Sequence, residues 1–292
     1  MRRFSDERAA HPTNPYNNQA EALNDWPRRF YRVVRKTVGL PATYEVGVLA
    51  DMINRLRDAV RGQIFHDLDA MVTWPELNAL YTEDVLEAME YARVLPSRNL
   101  DPWNVPQELA TVFAGNGLGL CRNPWNQVDC HEEQLHMPVL HVLSLSFSED
   151  SLTLALRFIK QPVRNAVVNS MFPGGQALTD ESLGLRSLRT NYIGREELFW
   201  RRVGAQIITL ALRDFGLERG GQPIDLALPH GEGIVEFEHQ IRAMLDNTTT
   251  HLQGKTSRIQ IHPDPMFLTA RGAAEIARRP TAHAPQAEWE VD

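Results

Sequence analysis

The 292-residue chain has few cysteines, no long apolar run and no dense block of positive charge. Two cysteines, Cys121 and Cys130, exclude a disulfide framework and fit a reducing compartment, although one loop bridge between them stays possible. No stretch reaches the ~18 consecutive apolar residues of a membrane span. No apolar segment follows the N-terminal arginines, so a signal peptide is not expected. These absences predict a soluble, cytoplasmic protein without membrane contact.

The charge distribution argues against nucleic-acid binding. The formal net charge of −7 is spread along the chain, whereas a nucleic-acid groove needs clustered Lys and Arg. The densest basic stretch, WPRRFYRVVRKTV, has the pattern of a helix with one apolar and one basic face. We interpret it as a solvated helix face and expect no nucleic-acid partner.

Catalytic motifs are also missing, since no GxSxG, Walker loop or HExxH occurs. GNGLG at 115–119 lacks the third glycine of a dinucleotide fingerprint and is typical of a helix end and loop. In CHEEQLHMPVLH, His131 and His136 are five apart where a metal-binding helix needs four. We interpret this segment as a polar loop that leads into a strand, and we expect neither a metal nor a cofactor.

The apolar pattern predicts helices that alternate with short strands. Helices are predicted at 20–38, 40–64, 82–94, 106–117, 196–215, 234–246 and 268–279, with Thr82 as an N-cap. The second of these has apolar residues at helical spacing: Val48, Met52, Leu56, Ala59 and Val60. Strands are predicted in DLDAMVTWP, PIDLALPHGEG and SRIQIHPDPMF. VLHVLSLSFSEDSLTLAL, 139–156, predicts two strands joined by a polar turn without glycine. The fold class is therefore α/β or mixed α+β.

Several of these segments, between Leu40 and Arg279, resemble motifs of the ATPase fold that actin, sugar kinases and the 70-kDa heat-shock chaperones share. NVPQELATVFAGNGLGLC, with Asn104, Pro106 and Ala110, resembles the connection between lobes. IDLALPHGEGIVEFEHQIRAMLD resembles the adenosine strand, turn and helix. DPMFLTARGAAEIARR resembles the closing motif, in which small residues such as Gly272 allow close helix packing. The chain looks most like the fungal chaperone-like branch.

The resemblance implies a two-lobed, ribonuclease H-like fold with a truncated first lobe. Residues 1–38 would form an arm and helix, 39–135 the remnant of lobe I, 136–279 lobe II, and 280–292 a disordered tail. It also implies that the turn at 148–151 stands where the second phosphate hairpin belongs. Ser144 or Ser146 replaces the aspartate there, Phe147, Ser148 and Glu149 replace the glycines, and no first phosphate hairpin precedes Leu40. We expect weak or no ATP binding and no hydrolysis.

A cleft without phosphate clamps suits a small, largely apolar metabolite. The first functional hypothesis is a cofactor-free cyclisation or isomerisation, such as a Diels–Alder closure in secondary metabolism, driven by orientation alone. The candidate catalytic residues are His230, Glu232 and Arg271. The candidate substrate-binding residues are Asn104, Glu108, Asn116, Ser146, Ser148 and Glu149.

Two alternatives stay open. One is a non-catalytic pseudo-ATPase that serves as a binding or scaffold module, and the other is a chaperone-like ATPase with an unusual first loop. An aromatic and aliphatic cleft would favour the enzyme, whereas a filled cleft with an exposed apolar patch would favour the scaffold. A small-molecule substrate and a monomer or homodimer are expected.

Overall fold

The structure, a computed structural model, describes residues 18–61, 71–77, 79–94, 106–162, 177–215 and 223–279. Two compact units divide the chain. Unit 1 comprises Met1–Val72 and Asn78–Val105, and unit 2 comprises Thr73–Leu77 and Pro106–Asp292. This division groups residues 106–135 with the segment predicted as lobe II. The predicted lobe boundaries stay a prediction.

Unit 1 contains three described helices, α1 (Gln19–Thr37), α2 (Tyr44–Arg61) and α3 (Thr82–Ala92). Small side chains let α2 and α3 pack closely, with Val46 and Ala50 of α2 against Ala88 and Ala92 of α3. The apolar series predicted for α2 is not its packed face, because Val48, Met52, Leu56 and Val60 are all exposed. Helix α2 is therefore confirmed, but its core-facing side is one of alanine and valine.

The N-terminus of α3 differs slightly from the prediction. Thr82 is the first helical residue, and the cap position belongs to Tyr81, whose backbone N–H donates to Asp84 Oδ2 at 3.1 Å. The carboxylate thus satisfies an amide just before the first turn, where a negative charge also complements the helix dipole.

Helix α1 turns its charged face toward α3. Arg28, Arg32 and Lys36 contact a row of α3 carboxylates: Glu83, Asp84, Glu87 and Glu90. Arg32 is 3 % exposed and its Nη1 lies 2.9 Å from Asp84 Oδ1. Burial alone would lower the pKa of Arg32, but the surrounding carboxylates raise it above its ordinary value. The solvated basic face predicted for this helix is therefore wrong, because ion pairs cover it.

Unit 2 is built on a five-stranded mixed sheet. After α4 (Glu108–Gly115) and α5 (Gln127–His136) come β1 (Leu140–Phe147), β2 (Leu152–Ile159) and β3 (Ala177–Asp180), then α6 (Leu185–Asn191) and α7 (Glu196–Phe215). The chain continues through β4 (Leu226–His230), α8 (Glu238–Gln253), β5 (Arg258–Ile259) and α9 (Leu268–Ala277). The strand order is β3-β2-β1-β4-β5, with β1–β2 and β2–β3 antiparallel and the other pairs parallel. The predicted α/β class is confirmed.

Helices cover both faces of this sheet, which explains why its strands are apolar on both sides. Leu143, Leu145 and Phe147 of β1 point toward α7 and α8. Val142 of β1 and Leu228 of β4 point toward α4 and α9. Strand β1 lies at the centre, so its C-terminal end is flanked by elements of both layers. None of the described helices has both the length and the apolar character that a bilayer crossing requires.

Helices α4 and α9 cross at glycines. A Cβ on Gly272 would lie 1.7 Å from the Thr111 carbonyl oxygen, and one on Gly115 would lie 2.4 Å from the Leu268 carbonyl oxygen. The close packing predicted for the small residues of α9 is thus present, and its partner is α4.

Three local predictions need correction. Residues 71–77 form no strand, only a single bridge from Trp74 to Gln107, and 67–70 lie outside the described residues. The CHEEQLH segment lies within helix α5, which begins after Asn126 accepts the Asp129 N–H. Cys121 and Cys130 form a disulfide, which the sequence did not favour. This bridge ties α5 to the loop that follows α4.

Candidate functional site

The central feature of unit 2 is a polar cluster where β1 and β4 end side by side. Ser146 and His230 are register partners in this parallel pair, and both face the N-terminus of α4. Glu108, in the first turn of α4, meets them there. Its Oε1 lies 2.9 Å from His230 Nε2 and accepts from Ser146 Oγ at 3.1 Å. The carboxyl ends of parallel strands are a common place for functional sites.

Hydrogen bonds to His230 and Ser146 stabilise the charged form of Glu108. His230 Nδ1 lies 3.2 Å from the Leu228 carbonyl oxygen, which can only accept. Each ring nitrogen of His230 therefore lies within hydrogen-bond distance of an acceptor oxygen. Burial by itself would raise the pKa of Glu108, but the hydrogen bonds from His230 and Ser146 and the His230 charge lower it overall. The cluster thus holds Glu108 as a carboxylate beside the buried ring of His230.

The order of these groups is not that of a nucleophile triad. In such a triad a histidine lies between the hydroxyl and the carboxylate and takes the hydroxyl proton. Here Glu108 is the central group and both Ser146 and His230 donate to it. His230 is 2 % exposed. The arrangement can hold a proton, but His230 does not activate Ser146.

A second acid, which is buried, lies on the 71–77 segment that precedes α3. Glu76 is 3 % exposed, and its Oε2 lies 2.5 Å from Arg157 Nη2 of β2. Burial raises the pKa of Glu76; Arg157 opposes the shift, and Glu108 adds to it. Sequence reasoning missed this pair. A lone arginine within the apolar strand LTLALRFI was the available signal, because a charge in a buried strand needs a partner.

The β1–β2 turn, residues 148–151, closes on itself. Ser148 Oγ donates to the Ser151 carbonyl at 3.0 Å, and the Ser148 N–H donates to the same carbonyl at 3.0 Å. The Ser151 N–H in turn lies 3.2 Å from Ser148 Oγ. Serine thus provides the local hydrogen bonds that stabilise a turn without glycine. The predicted hairpin is confirmed.

A carboxylate of the chain accepts a third backbone N–H of this turn. Glu232 Oε2 accepts the Glu149 N–H at 2.8 Å. The β4 turn can reach the hairpin because its glycines carry no side chains. A Cβ on Gly231, where φ is +109°, would lie 2.4 Å from the Phe147 carbonyl oxygen, and one on Gly233 would lie 2.5 Å from Leu185 Cδ2.

Helix α6 covers the other side of the turn. The Leu185 and Arg186 N–H groups donate to the carbonyls of Ser148 and Glu149 at 3.0 and 2.9 Å. A Cβ on Gly184 would lie 2.4 Å from the Asp150 carbonyl carbon, so the helix end sits directly on the turn.

The acids of the turn do not stand alone. Arg186 Nη1 lies 2.9 Å from Asp150 Oδ1, and Arg189 Nη1 lies 3.2 Å from Glu149 Oε2. These ion pairs offset part of the negative charge that Glu149 and Asp150 bring to the turn.

ATP is the ligand that the resemblance implies, and the turn residues do not fit it. A phosphate cradle needs free backbone N–H groups and open space above them. In the 148–151 turn, the Ser148, Glu149 and Ser151 N–H groups bond to Ser151, Glu232 and Ser148. Across the described residues, no three His, Cys, Asp or Glu side chains converge as metal ligands would.

The structure brings some predicted site residues together and separates others. Glu108, Ser146 and His230 form the buried cluster, and Ser148, Glu149 and Glu232 form the adjoining turn network. Asn116 lies at the C-terminal end of α4, where its Nδ2 donates to the Val112 carbonyl at 2.9 Å. Arg271 is exposed on α9, with Nη1 3.0 Å from His262 Nε2. Asn104 lies outside the described residues. The roles assigned to all nine stay predictions.

Comparison with known proteins gives distant structural likeness only. No family model and no curated protein sequence matches the chain. Among solved structures, ethanolamine utilization protein EutJ from Carboxydothermus hydrogenoformans superposes with a TM-score of 0.39 and 9% identity, over 79% of this chain and 74% of that one. The PilM–PilN type IV pilus biogenesis complex superposes with a TM-score of 0.35 and 14% identity, over 70% of this chain and 59% of that one. Both EutJ and PilM have the actin-like ATPase fold. At these TM-scores the actin-like arrangement of this chain remains a prediction from its motifs.

Proposed function

We propose that the chain is a non-catalytic pseudo-ATPase, a binding or scaffold protein that keeps parts of an actin-like architecture and no longer binds nucleotide. The observation that carries this proposal is the Glu232 carboxylate on the Glu149 N–H, 2.8 Å away, in the turn where a phosphate would rest. An internal anion at an anion-binding amide competes with any phosphate. The cover of α6 over the same turn supports the proposal further.

Calorimetry with Mg-ATP tests the proposal. We expect no binding heat at protein concentrations near 100 μM, which would detect a Kd in the micromolar range, about −8 kcal/mol. Micromolar binding or measurable hydrolysis by the unmodified chain would contradict the proposal and favour the chaperone-like ATPase instead.

A pair of variants tests the role of the Glu232 carboxylate itself. Glu232→Ala removes the carboxylate from the turn amide, whereas Glu236→Ala removes an exposed carboxylate that contacts only Arg189 among the ion pairs described. Inorganic phosphate is the probe. If Glu232 is an internal anion, Glu232→Ala alone should gain weak, millimolar phosphate binding by NMR shift of the Glu149 amide. Equal shifts in both variants would show that Glu232 has no such role.

The cofactor-free cyclase or isomerase is the second candidate, and the buried Glu108–His230 pair favours it. Such a pair could donate a hydrogen bond or a proton to a substrate carbonyl. Incubation with polyene metabolites made by neighbouring genes, with Glu108→Gln and His230→Gln as controls, tests this function. Turnover that both variants leave unchanged would remove the pair from the mechanism. The fungal, secondary-metabolism context and the cytoplasmic location remain predictions.

A further inference from the structure

Helix α1 carries an apolar seam on the side that faces away from α3. The seam consists of Leu23, Trp26, Phe30 and Val33, which are 73, 61, 56 and 58 % exposed. Their spacing of three, four and three residues places them along one side of a helix, as at the a and d positions of a heptad. Trp26 and Phe30 already stack, with ring centroids 5.3 Å apart.

The opposite side of α1 explains why the seam points outward. Arg28, Arg32 and Lys36 are committed to the α3 carboxylates, and Arg32 is buried there. Rotating α1 to bury the seam would expose the acids of α3 and leave these cations without their ion-pair partners. The seam is therefore held in solvent by the ion pairs on the other face, and its exposure is built into the helix packing.

The exposed apolar surface of α1 is large enough to form the centre of a protein–protein interface. Tyr31, Val34 and Val38 flank the seam and are also exposed. Aromatic side chains bury ~150–250 Å² each, so the three here and the aliphatic neighbours expose on the order of 500 Å². This lies in the range of the largest patch on an ordinary monomer, and a polar rim would extend it toward the ~800 Å² per partner of a standard interface.

We propose that the seam binds the same seam of a second copy, so that the chain forms a two-fold symmetric dimer through antiparallel α1 helices. The seam holds no charged residue, so an identical seam is chemically matched to it. A two-fold axis near Arg29 and Phe30 would place Trp26 of one copy against Val33 of the other, and each contact would occur twice. The proposal goes beyond the scaffold function and does not depend on it, because it concerns unit 1 alone.

Other occupants fit the seam less well. A helix that lies on a lipid surface presents cations beside its apolar face to the headgroups, but three of the α1 cations are engaged with α3. The net charge of −7 also disfavours an anionic membrane.

Sedimentation of the full chain over a concentration series tests the dimer. We expect a monomer–dimer equilibrium with a Kd in the micromolar range or below. Phe30→Glu should raise that Kd at least about tenfold, because two carboxylates would meet in an apolar interface. Phe267→Glu is the matched control, since Phe267 is 59 % exposed in unit 2, and it should leave the equilibrium unchanged. Circular dichroism checks that both variants fold.

A cross-link provides a second measurement that does not depend on weakening the protein. Phe30→Cys should form an intermolecular disulfide under mild oxidation, whereas Phe267→Cys should not. A chain that stays monomeric at ~100 μM and does not cross-link at position 30 would overturn the proposal. Flotation of the monomer with phosphatidylglycerol vesicles, lost in Phe30→Glu, would overturn it in favour of a lipid surface.

Discussion

Two buried glutamates of unit 2 have opposite pKa shifts, although they lie in the same polar region. Relative to the ordinary value of 4.5, the pKa of Glu108 is lowered by its donors and the pKa of Glu76 is raised by burial. Glu108 is stabilised as a carboxylate. Burial shifts Glu76 toward its neutral form, and Arg157 opposes that shift. Burial decides the sign at Glu76, whereas the hydrogen-bond partners decide it at Glu108.

The first prediction concerns the pH dependence of stability at Glu108. A lowered folded-state pKa adds stability that is complete above about pH 4.5 and is lost as the pH falls through the folded value. Glu108→Gln should therefore cost about 2–4 kcal/mol at pH 7, and its difference from the parent should shrink in acid. Urea unfolding between about pH 3 and 7 measures this difference.

Glu76→Gln is the internal comparison for that experiment. A raised folded-state pKa adds stability that is present below about pH 4.5 and is lost as the pH rises through the folded value. As the pH rises, the free energy of unfolding of the parent should therefore fall relative to that of Glu76→Gln. This is the reverse of the trend at Glu108. Parallel trends for the two variants would show that the local partners do not control these titrations.

At the scale of elements, the crossing of α4 and α9 rests on glycine. A helical glycine replaced by alanine ordinarily gains about 0.5–1 kcal/mol of helix propensity. At Gly272 the added Cβ would lie 1.7 Å from the Thr111 carbonyl oxygen, so we expect the opposite sign. Gly272→Ala should destabilise unit 2 by about 2–4 kcal/mol, as measured by urea unfolding.

Gly47 in α2 is the matched helical glycine. A Cβ there would lie 3.0 Å from Pro41 Cγ, a side-chain atom, so Gly47→Ala should be close to neutral. If both variants gained stability, the gain in helix propensity would outweigh the steric clash where α4 and α9 cross. The contact at Gly272 would then not be as tight as the structure shows.

Ion pairs hold α1 against α3. Removing one member of a buried pair leaves the other charges uncompensated, so Arg32→Ala should cost about 3–5 kcal/mol in unit 1. Arg201→Ala breaks an exposed i,i+4 pair with Glu197 and should cost less than about 0.5 kcal/mol. Hydrogen exchange of the α1 amides should accelerate in Arg32→Ala while β1 amides keep their protection. Equal exchange in both variants would contradict this role.

Elements with strong periodicity could be predicted from the sequence, and partners across sequence distance could not. Helix α7 begins and ends at the predicted residues, and the β1–β2 hairpin follows from alternation around a polar turn. The outward rotation of α1 could not be read from its own pattern, because the acids that bind its cations lie about 50 residues away. The same holds for Glu108 and His230, which are 122 residues apart.

At the scale of the whole molecule, the Cys121–Cys130 disulfide bears on where the protein can reside. Disulfides persist mainly in oxidising compartments, whereas the cysteine count alone fitted a reducing one. The bridge closes a short loop, with a separation of nine residues, and should contribute roughly 2–3 kcal/mol.

Reductant should therefore lower the urea midpoint of the parent chain. Cys130→Ala should already unfold at that lower midpoint and should not respond to reductant. Thiol titration of the denatured parent should find no free cysteine before reduction. Two reactive thiols in freshly purified protein would contradict the bridge and support the cytoplasmic location.

The contact of Gly184 with the hairpin turn has an evolutionary consequence. Restoring glycines at 148 and 149 would reopen the turn backbone from one direction only, because the α6 N-terminus would still donate to its carbonyls. Glycines at the turn alone would therefore leave the α6 contacts in place. If this fold once hydrolysed ATP, those contacts would also have to be undone before a phosphate could bind at the turn again.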